Sequence, residues 1–201
     1  PEFSRRSLEI LRQPLEDKVI RISRVYGTYD FPADFMLCAA MNPCPCGHYP
    51  DMNRCRCTPA QVMQYLGRIS QPLLDRLDLC AEVSPVDFEG LSSGRKGEST
   101  QTIRERVICA QDIQRERYKI EGIQFNGELS GAQIEKYCKL EKDARQLLKM
   151  AFQNMSFSAR AYHRILKVAR TIADMEATES IHRHHIAEAL SYRAFDKKYW
   201  N

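Results

Sequence analysis

Phe35-Met36-Leu37-Cys38-Ala39-Ala40-Met41-Asn42-Pro43-Cys44-Pro45-Cys46-Gly47 is the stretch that sets the character of the chain. Its first seven residues are nearly all apolar, the pattern of a strand covered on both faces. Asn42-Pro43 stops that run abruptly and a pair of cysteines follows. Upstream, Val19-Ile20-Arg21-Ile22-Ser23 and Thr28-Tyr29-Asp30-Phe31 are rich in β-branched and aromatic residues and flank Arg24-Val25-Tyr26-Gly27, which predicts a hairpin. Before the hairpin, Leu8, Ile10, Leu11 and Leu15 recur at helical spacing between Phe3 and Leu15, and Pro14 makes the end irregular. Downstream, a helix is expected from Pro59 to about Ser70, then a second apolar, strand-like piece from Leu77 to Val83.

Residues 90–100 are polar and rich in Gly and Ser, the composition of a linker. Everything beyond reads helical, with helices expected at about 101–119, 130–138, 141–153, 158–176 and 182–192. In the fourth of these Ile165, Ala169, Ile172 and Ala173 mark one face, and Ser158 is placed to cap its start. The outline is an α/β remnant, a linker and a helical domain.

The 201 residues are 43% hydrophobic and 28% charged, an ordinary globular composition. Lys plus Arg is 30 and Asp plus Glu 26, a net +4 that permits an anionic partner without demanding one. No apolar run approaches the ~20 residues that a membrane-spanning helix needs. The opening Pro-Glu-Phe-Ser-Arg-Arg has no apolar signal core and no initiator Met, and is expected to lie inside a longer protein. Without a secretory signal a reducing, cytoplasmic setting is the expectation, where clustered cysteines more often bind metal than form disulfides.

Of the eight cysteines, Cys44, Cys46, Cys55 and Cys57 fall within 14 residues, while Cys38, Cys80, Cys109 and Cys138 are scattered. The cluster is two C-x-C pairs, tighter than the usual C-x₂-C of zinc sites, yet able to supply four thiolates from facing turns. Gly47, Pro50, Asp51 and Asn53 between the pairs are turn formers. Four protein ligands would close the site and make zinc structural. The alternatives are one or two disulfides, cysteines with no ligand role, or His48 replacing a cysteine.

Three polar residues stand where a nucleotide site would need them. Asn42 sits at the carboxyl end of the apolar run, where open α/β sheets bind ligands; the alternative is that Asn-Pro simply turns the chain. Arg76, in Leu73-Leu74-Asp75-Arg76-Leu77-Asp78-Leu79, can neutralise charge on a transferring phosphoryl group; the alternative is a local Asp–Arg pair at a helix end. Arg160 falls in the first turn of the 158–176 helix, where the dipole disfavours a cation and favours an anion, so a bound phosphate would reconcile the two. A solvated arginine is the alternative there.

The order of these features resembles a known pattern. Pro1-Glu2-Phe3-Ser4-Arg5-Arg6-Ser7-Leu8-Glu9, continuing through Leu11-Arg12-Gln13-Pro14-Leu15-Glu16, is similar to the segment just after the acidic Walker B motif in AAA+ ATPases of the magnesium-chelatase class. FMLCAAMNPCPCG (35–47), RISQPLLDRLDL (68–79) and SARAYHRILKVARTIAD (158–174) resemble the magnesium-chelatase-like ComM/YifB family. The resemblance implies a fold that is mostly α with a small β component. Residues 1–89 would be the C-terminal part of an AAA+ α/β core with a β-hairpin and a four-cysteine insertion at 44–57, residues 90–100 a linker, and 101–201 a helical lid domain.

The same resemblance implies roles. Asn42 would be sensor 1, Arg76 an arginine finger reaching the ATP of the adjacent subunit, and Arg160 sensor 2 on the lid. The hairpin from Arg24 to Thr28 resembles the pre-sensor-1 hairpin of this clade, which makes Arg24 a candidate to track nucleic acid and Tyr26 a candidate to stack on a base. A solvated turn is the alternative for Arg24. The implied parent uses ATP and Mg²⁺, assembles into a ring, expected to be a hexamer, and remodels DNA. This sequence contains no G-x-x-x-x-G-K-[ST], and the Walker B acids would lie upstream of Pro1, so the chain alone is expected not to hydrolyse ATP. Two other readings are a chelatase-type motor inserting metal into a tetrapyrrole, and a non-enzymatic zinc module that binds nucleic acid or protein.

Ile181-His182-Arg183-His184-His185-Ile186 has the look of a metal motif, but a basic, solvated helix start is the expectation, with His182 and His185 sharing a face only loosely. Arg193 to Lys198 with Tyr199-Trp200 mixes cations and aromatics; a docked or frayed terminus is the expectation, and contact with nucleic acid or a partner the alternative. The 101–119 helix, with Arg104, Arg106, Arg115, Arg117 and Lys119 among several acids, reads as a mixed-charge exposed face.

Overall fold

The computed structural model describes residues 1–84, 97–155 and 157–200, with Phe88 and Ser92 between, and side chains as far as Arg193. Residues 90, 91 and 93–96 of the expected linker, and the side chains of the terminal aromatic segment, lie outside the described residues. Pro1–Leu77 groups into one compact unit and Asp78–Phe195 into a second.

The first unit opens with α1 (Arg5–Ile10), whose first turn is capped by Ser4 Oγ accepting from Ser7 N at 3.1 Å. After Leu11 the chain re-enters α2 (Arg12–Asp17), so the single irregular helix expected over 3–15 is two short ones. Lys18 in the left-handed conformation ends α2 and turns the chain into the hairpin. There β1 (Val19–Arg24) pairs antiparallel with β2 (Gly27–Pro32) through a two-residue loop, Val25-Tyr26. The register sets Ile20 against Phe31 and Ile22 against Tyr29 on one face, and Arg21 against Asp30 and Ser23 against Thr28 on the other. Arg21 Nε donates to Asp30 at 2.7 Å.

The apolar run Phe35–Met41 is not the covered strand expected. No strand pairs with it among the described residues, and Phe35, Met36 and Met41 are exposed, Met36 by 91%. Side-chain pattern alone does not make a strand; it needs a neighbour for its amides, and β1 and β2 are already paired to one another. Leu77–Val83 likewise pairs with no strand, and Leu79 and Val83 are exposed. After the cysteine loop, Thr58 and Gln61 form a capping box that starts α3 (Pro59–Leu66). Gly67 ends it short of the Ser70 expected, because Ser70 itself caps α4 (Gln71–Leu74) with Pro72 in the first turn.

The second unit contains α5 (Thr100–Tyr118), a 3₁₀ turn (Asn126–Glu128), α6 (Gly131–Tyr137), α7 (Lys142–Met155), α8 (Ala159–Met175) and the start of α9 (Arg183–Trp200). Helix α8 is its centre. Ser158 accepts from Ala161 N at 3.2 Å as its cap, and the expected face of Ile165, Ala169, Ile172 and Ala173 is buried against Tyr118, Leu129, Ile134, Leu148, Ile181 and Ile186. Burying a side chain of Ile size contributes about 1.5–3 kcal/mol, which is what orders so short a set of helices. Within this core lies a polar hub. Asp174 accepts from Arg117 at 2.9 Å and through a second Arg117 nitrogen, from Asn126 at 2.8 Å and from Arg170 Nε at 3.1 Å, so the carboxylate takes four hydrogen bonds from three residues and is 1% exposed. The 101–119 face is therefore not simply solvated: Arg117 belongs to the core.

Candidate functional site

The four clustered cysteines converge. The Sγ atoms of Cys44, Cys46, Cys55 and Cys57 all lie within 4.8 Å of one another, with Cys44–Cys46 at 3.4 Å, Cys46–Cys55 at 3.6 Å and Cys44–Cys55 at 3.8 Å. These distances exclude a disulfide among them, whose sulfurs would stand about 2.05 Å apart, and all eight cysteines are free. A zinc–sulfur bond of about 2.3 Å gives a tetrahedron edge of about 3.8 Å; Cys44, Cys46 and Cys55 stand at about that spacing, with Cys57 within 4.8 Å of each.

Local backbone chemistry builds this cage. Gly47, at φ +81°, closes a tight turn in which its amide donates to Cys44 O at 3.0 Å. Tyr49 N then donates to Cys44 Sγ at 3.4 Å, while the backbone amides of His48 and Arg56 pull the Cys46 thiol down to about 6. Cys44 is fully buried beneath Val62, Tyr65 and Leu66 of α3. The loop and α3 thus share one small core, and the capping box at Thr58 fixes where α3 begins relative to Cys57. His48 is exposed and is not part of the convergent set. A closed four-sulfur set has no open position for substrate, so what it can do is brace the loop.

Asn42 lies at the edge of this loop: a Cβ placed on Gly47 would meet the Asn42 side chain at 3.8 Å. Arg76 is held within its own unit. Its side chain is 10% exposed, one guanidinium nitrogen donates to Pro72 O at 2.7 Å, and another pairs with Glu16 of α2. The alternative of a local pair with an aspartate does not hold: the partner is a glutamate sixty residues earlier. Arg160 is exposed in the first turn of α8, in the second unit. Val25 and Tyr26 at the hairpin tip are 95% and 96% exposed, and Arg24 beside them is exposed.

The histidine segment is not a solvated helix start. His185 is fully buried, and its Nδ1 accepts from His182 N at 2.9 Å, filling at the start of α9 the place that Glu or Gln takes in a capping box. With Nδ1 accepting, Nε2 carries the proton and donates to Glu176 Oε2 at 2.9 Å. His184 Nε2 lies 2.9 Å from the same oxygen, and these bonds, that of His184 first, hold the Glu176 carboxyl below its ordinary value. The three ligand atoms converge as a metal site's would, but the proton on His185 Nε2 makes the cluster a hydrogen-bonded clasp between the end of α8 and the start of α9.

Residues 1–91 match the family described as magnesium chelatase, subunit ChlI, and residues 97–193 that of the ChlI C-terminal part. YifB of Salmonella typhimurium is 46% identical over 199 residues, covering 98% of this chain and 38% of that protein. Competence protein ComM of Haemophilus influenzae is 46% identical over 195 residues, covering 96% and 37%. The chain belongs to the magnesium-chelatase-like ComM/YifB family. YifB of Escherichia coli, another ComM/YifB member, is 43% identical over 199 residues. The chain spans under two-fifths of the length of these relatives. Among the described residues, no helix is long and apolar enough to cross a membrane.

Proposed function

We propose that this chain is the distal part of a subunit of a ring-forming, ATP-dependent AAA+ motor that remodels branched DNA. The observation that carries the reading is the 46% identity to competence protein ComM across 96% of the chain. Competence is the taking up of DNA, which makes DNA the natural substrate of a motor in this family. In this reading residues 1–89 complete the α/β core, 90–100 link, and 101–201 form the lid; separate family matches at 1–91 and 97–193 support that division. The segment carries neither Walker motif and works only with the rest of the subunit.

The residues divide the labour. Asn42 is sensor 1, set by the loop that it packs against. Arg76 is the arginine finger, completing the ATP·Mg²⁺ site of a neighbouring subunit, so self-association, expected to be hexameric, is part of the mechanism. Arg160 on α8 is sensor 2, reporting nucleotide state to the helical unit. A zinc ion on Cys44, Cys46, Cys55 and Cys57 braces the loop beside Asn42. Arg24 and Tyr26 at the exposed tip contact DNA in the ring's pore.

The test is ATP hydrolysis by the full-length protein with and without branched DNA at fixed salt. Stimulation by DNA is the expected result. Robust hydrolysis indifferent to DNA would shift the reading to the second one that the ChlI matches favour, a motor that inserts metal into a tetrapyrrole.

A further inference from the structure

Two open clefts flank Cys46 on the surface of the cysteine loop. One, of about 360 Å³, is lined by Pro45, Gln61, Gln64, Tyr65 and Arg68 together with Cys46, Arg56 and Cys57. The other, of about 490 Å³, is lined by His48, Asn53 and Arg54 together with Cys46 and Arg56. Arg56 is thus the wall between them, and no carboxylate lines either.

We propose that these clefts bind consecutive phosphates of a nucleic-acid strand, Arg54 and Arg56 holding one and Arg56 and Arg68 the next, Arg68 using the guanidinium nitrogens other than the one that donates to Pro1 O at 2.8 Å. The inference rests on the DNA reading above and adds a second contact, away from the hairpin. Three observations carry it. Elsewhere in the first unit Arg12, Arg21 and Arg76 pair with carboxylates, whereas no ion pair among the described residues includes Arg54 or Arg56. Among the described residues, the hydrogen bonds of the cysteine sulfurs run to one another and to Tyr49 N, and none to either guanidinium. Between Cys44 and Arg68 there are three arginines and one acid, Asp51, whose Oδ1 is turned to the amide of Asn53 at 3.0 Å.

A four-thiolate zinc site carries −2, which would offset two of these cations if its charge faced outward. Cys44 is buried, but the exposed Cys46 lines both clefts and Cys57 lines one, so part of that charge faces the clefts and the three arginines Arg54, Arg56 and Arg68 exceed it by one. The shape favours a polymer over a free phosphate. The clefts are shallow, adjacent and share one arginine, which matches a repeating anion. The linings offer no exposed aromatic ring, Tyr65 being 6% exposed, so contact is to the backbone and indifferent to sequence.

The experiment measures binding of a fluorescent 20-nucleotide oligo-dT to the full-length protein across a salt series, for wild type, Arg54→Gln/Arg56→Gln and Arg24→Gln. Each phosphate contact removed from a single strand lowers the slope of log K against log[salt] by about 0.7, so the double variant, which keeps Arg68 on the second phosphate, loses about 0.7 and binds about fivefold more weakly at low salt. Arg54→Lys/Arg56→Lys keeps most of the slope. Zinc content and melting temperature unchanged in the double variant show that the loop is still folded. An unchanged slope in that folded variant, with Arg24→Gln weakened, overturns the clefts and leaves the motor reading standing. No oligonucleotide binding by wild type, together with no DNA stimulation of hydrolysis, removes both. Equal competition by polyglutamate of the same length assigns the clefts to acidic polymers in general and overturns the nucleic-acid claim.

Discussion

Arg76 of the loop after α4 is tied to Glu16 of α2, a pair that joins the two ends of the first unit while leaving the arginine only 10% exposed. An arginine that acts on a neighbour's phosphate must exchange this carboxylate for that phosphate, so both residues are open to test. On the proposed finger role, Arg76→Ala in the full-length protein is expected to abolish ATP hydrolysis with nucleotide binding nearly intact, and mixing it with a Walker-A-defective subunit is expected to restore part of the turnover. Lost assembly with no restoration would make the Glu16 pair purely structural. Glu16→Gln leaves a mostly buried guanidinium without its charged acceptor and lowers the stability of this unit by about 1–3 kcal/mol, read by urea denaturation.

The buried hub predicts a larger effect in the second unit. Asp174→Ala removes the one carboxylate shared by Arg117 and Arg170 in a core where it was 1% exposed, leaving Arg170 the carbonyls of Thr178 and Glu179 and Asn126 the Thr171 hydroxyl. Removing one partner of such a buried pair costs about 3–5 kcal/mol. Thermal unfolding followed by far-UV circular dichroism is expected to show the helical unit melting at much lower temperature. A shift of only a degree or two would mean that water enters and solvates the arginines.

These relationships differ in how far the sequence discloses them. The hairpin is legible because its signal is local: β-branched and aromatic residues on both sides of Arg24–Gly27, and the register follows from a two-residue loop. The cysteine cage is legible because its four ligands lie within one short loop. Phe35–Met41 misleads because an apolar run reports that a strand could be covered, not that a neighbour is there to pair with it. The Arg76–Glu16 pair spans sixty residues and has no local trace. Arg170 and Asp174 did leave one, a cation and an anion four apart inside the apolar face of α8, where a solvated pair would not sit. His185 left another, three residues after the cap position of α9.

The surface network around Glu121 gives a pH prediction. Its carboxylate accepts from Lys136 at 2.6 Å, Tyr137 at 2.7 Å and Gln133 at 3.1 Å, and these donors, Lys136 first, lower it from 4.5 to about 2. A carboxyl lowered in the folded state stabilises fully above its unfolded value, and that contribution is lost as pH falls through the folded one. The melting-temperature difference between wild type and Glu121→Gln is therefore constant above pH ~5 and shrinks between ~4.5 and ~2. A difference that does not change with pH would show that the hydrogen bonds, not the charge, hold α6 to the turn after α5.

The cysteine cage makes the most direct prediction. Protein purified without chelator carries close to one zinc per chain by elemental analysis, and Cys44→Ser reduces that to near zero. Cys44 is the fully buried corner, packed beneath Val62, Tyr65 and Leu66, so its loss also loosens α3 from the loop. The near-ultraviolet signal of Tyr65 and Tyr49, both in that small core, is expected to fall when metal is stripped. The far-ultraviolet helical signal stays largely in place, because the core of the second unit contains none of the four ligands. Bound metal stabilises by RT ln(1 + [L]/Kd), about 2.7 kcal/mol at a hundredfold excess over Kd, so chelation lowers the stability of the first unit by at least that much if the site is tight. A metal-free preparation with an unchanged near-ultraviolet spectrum and unchanged stability would show that the four sulfurs converge without a ligand role.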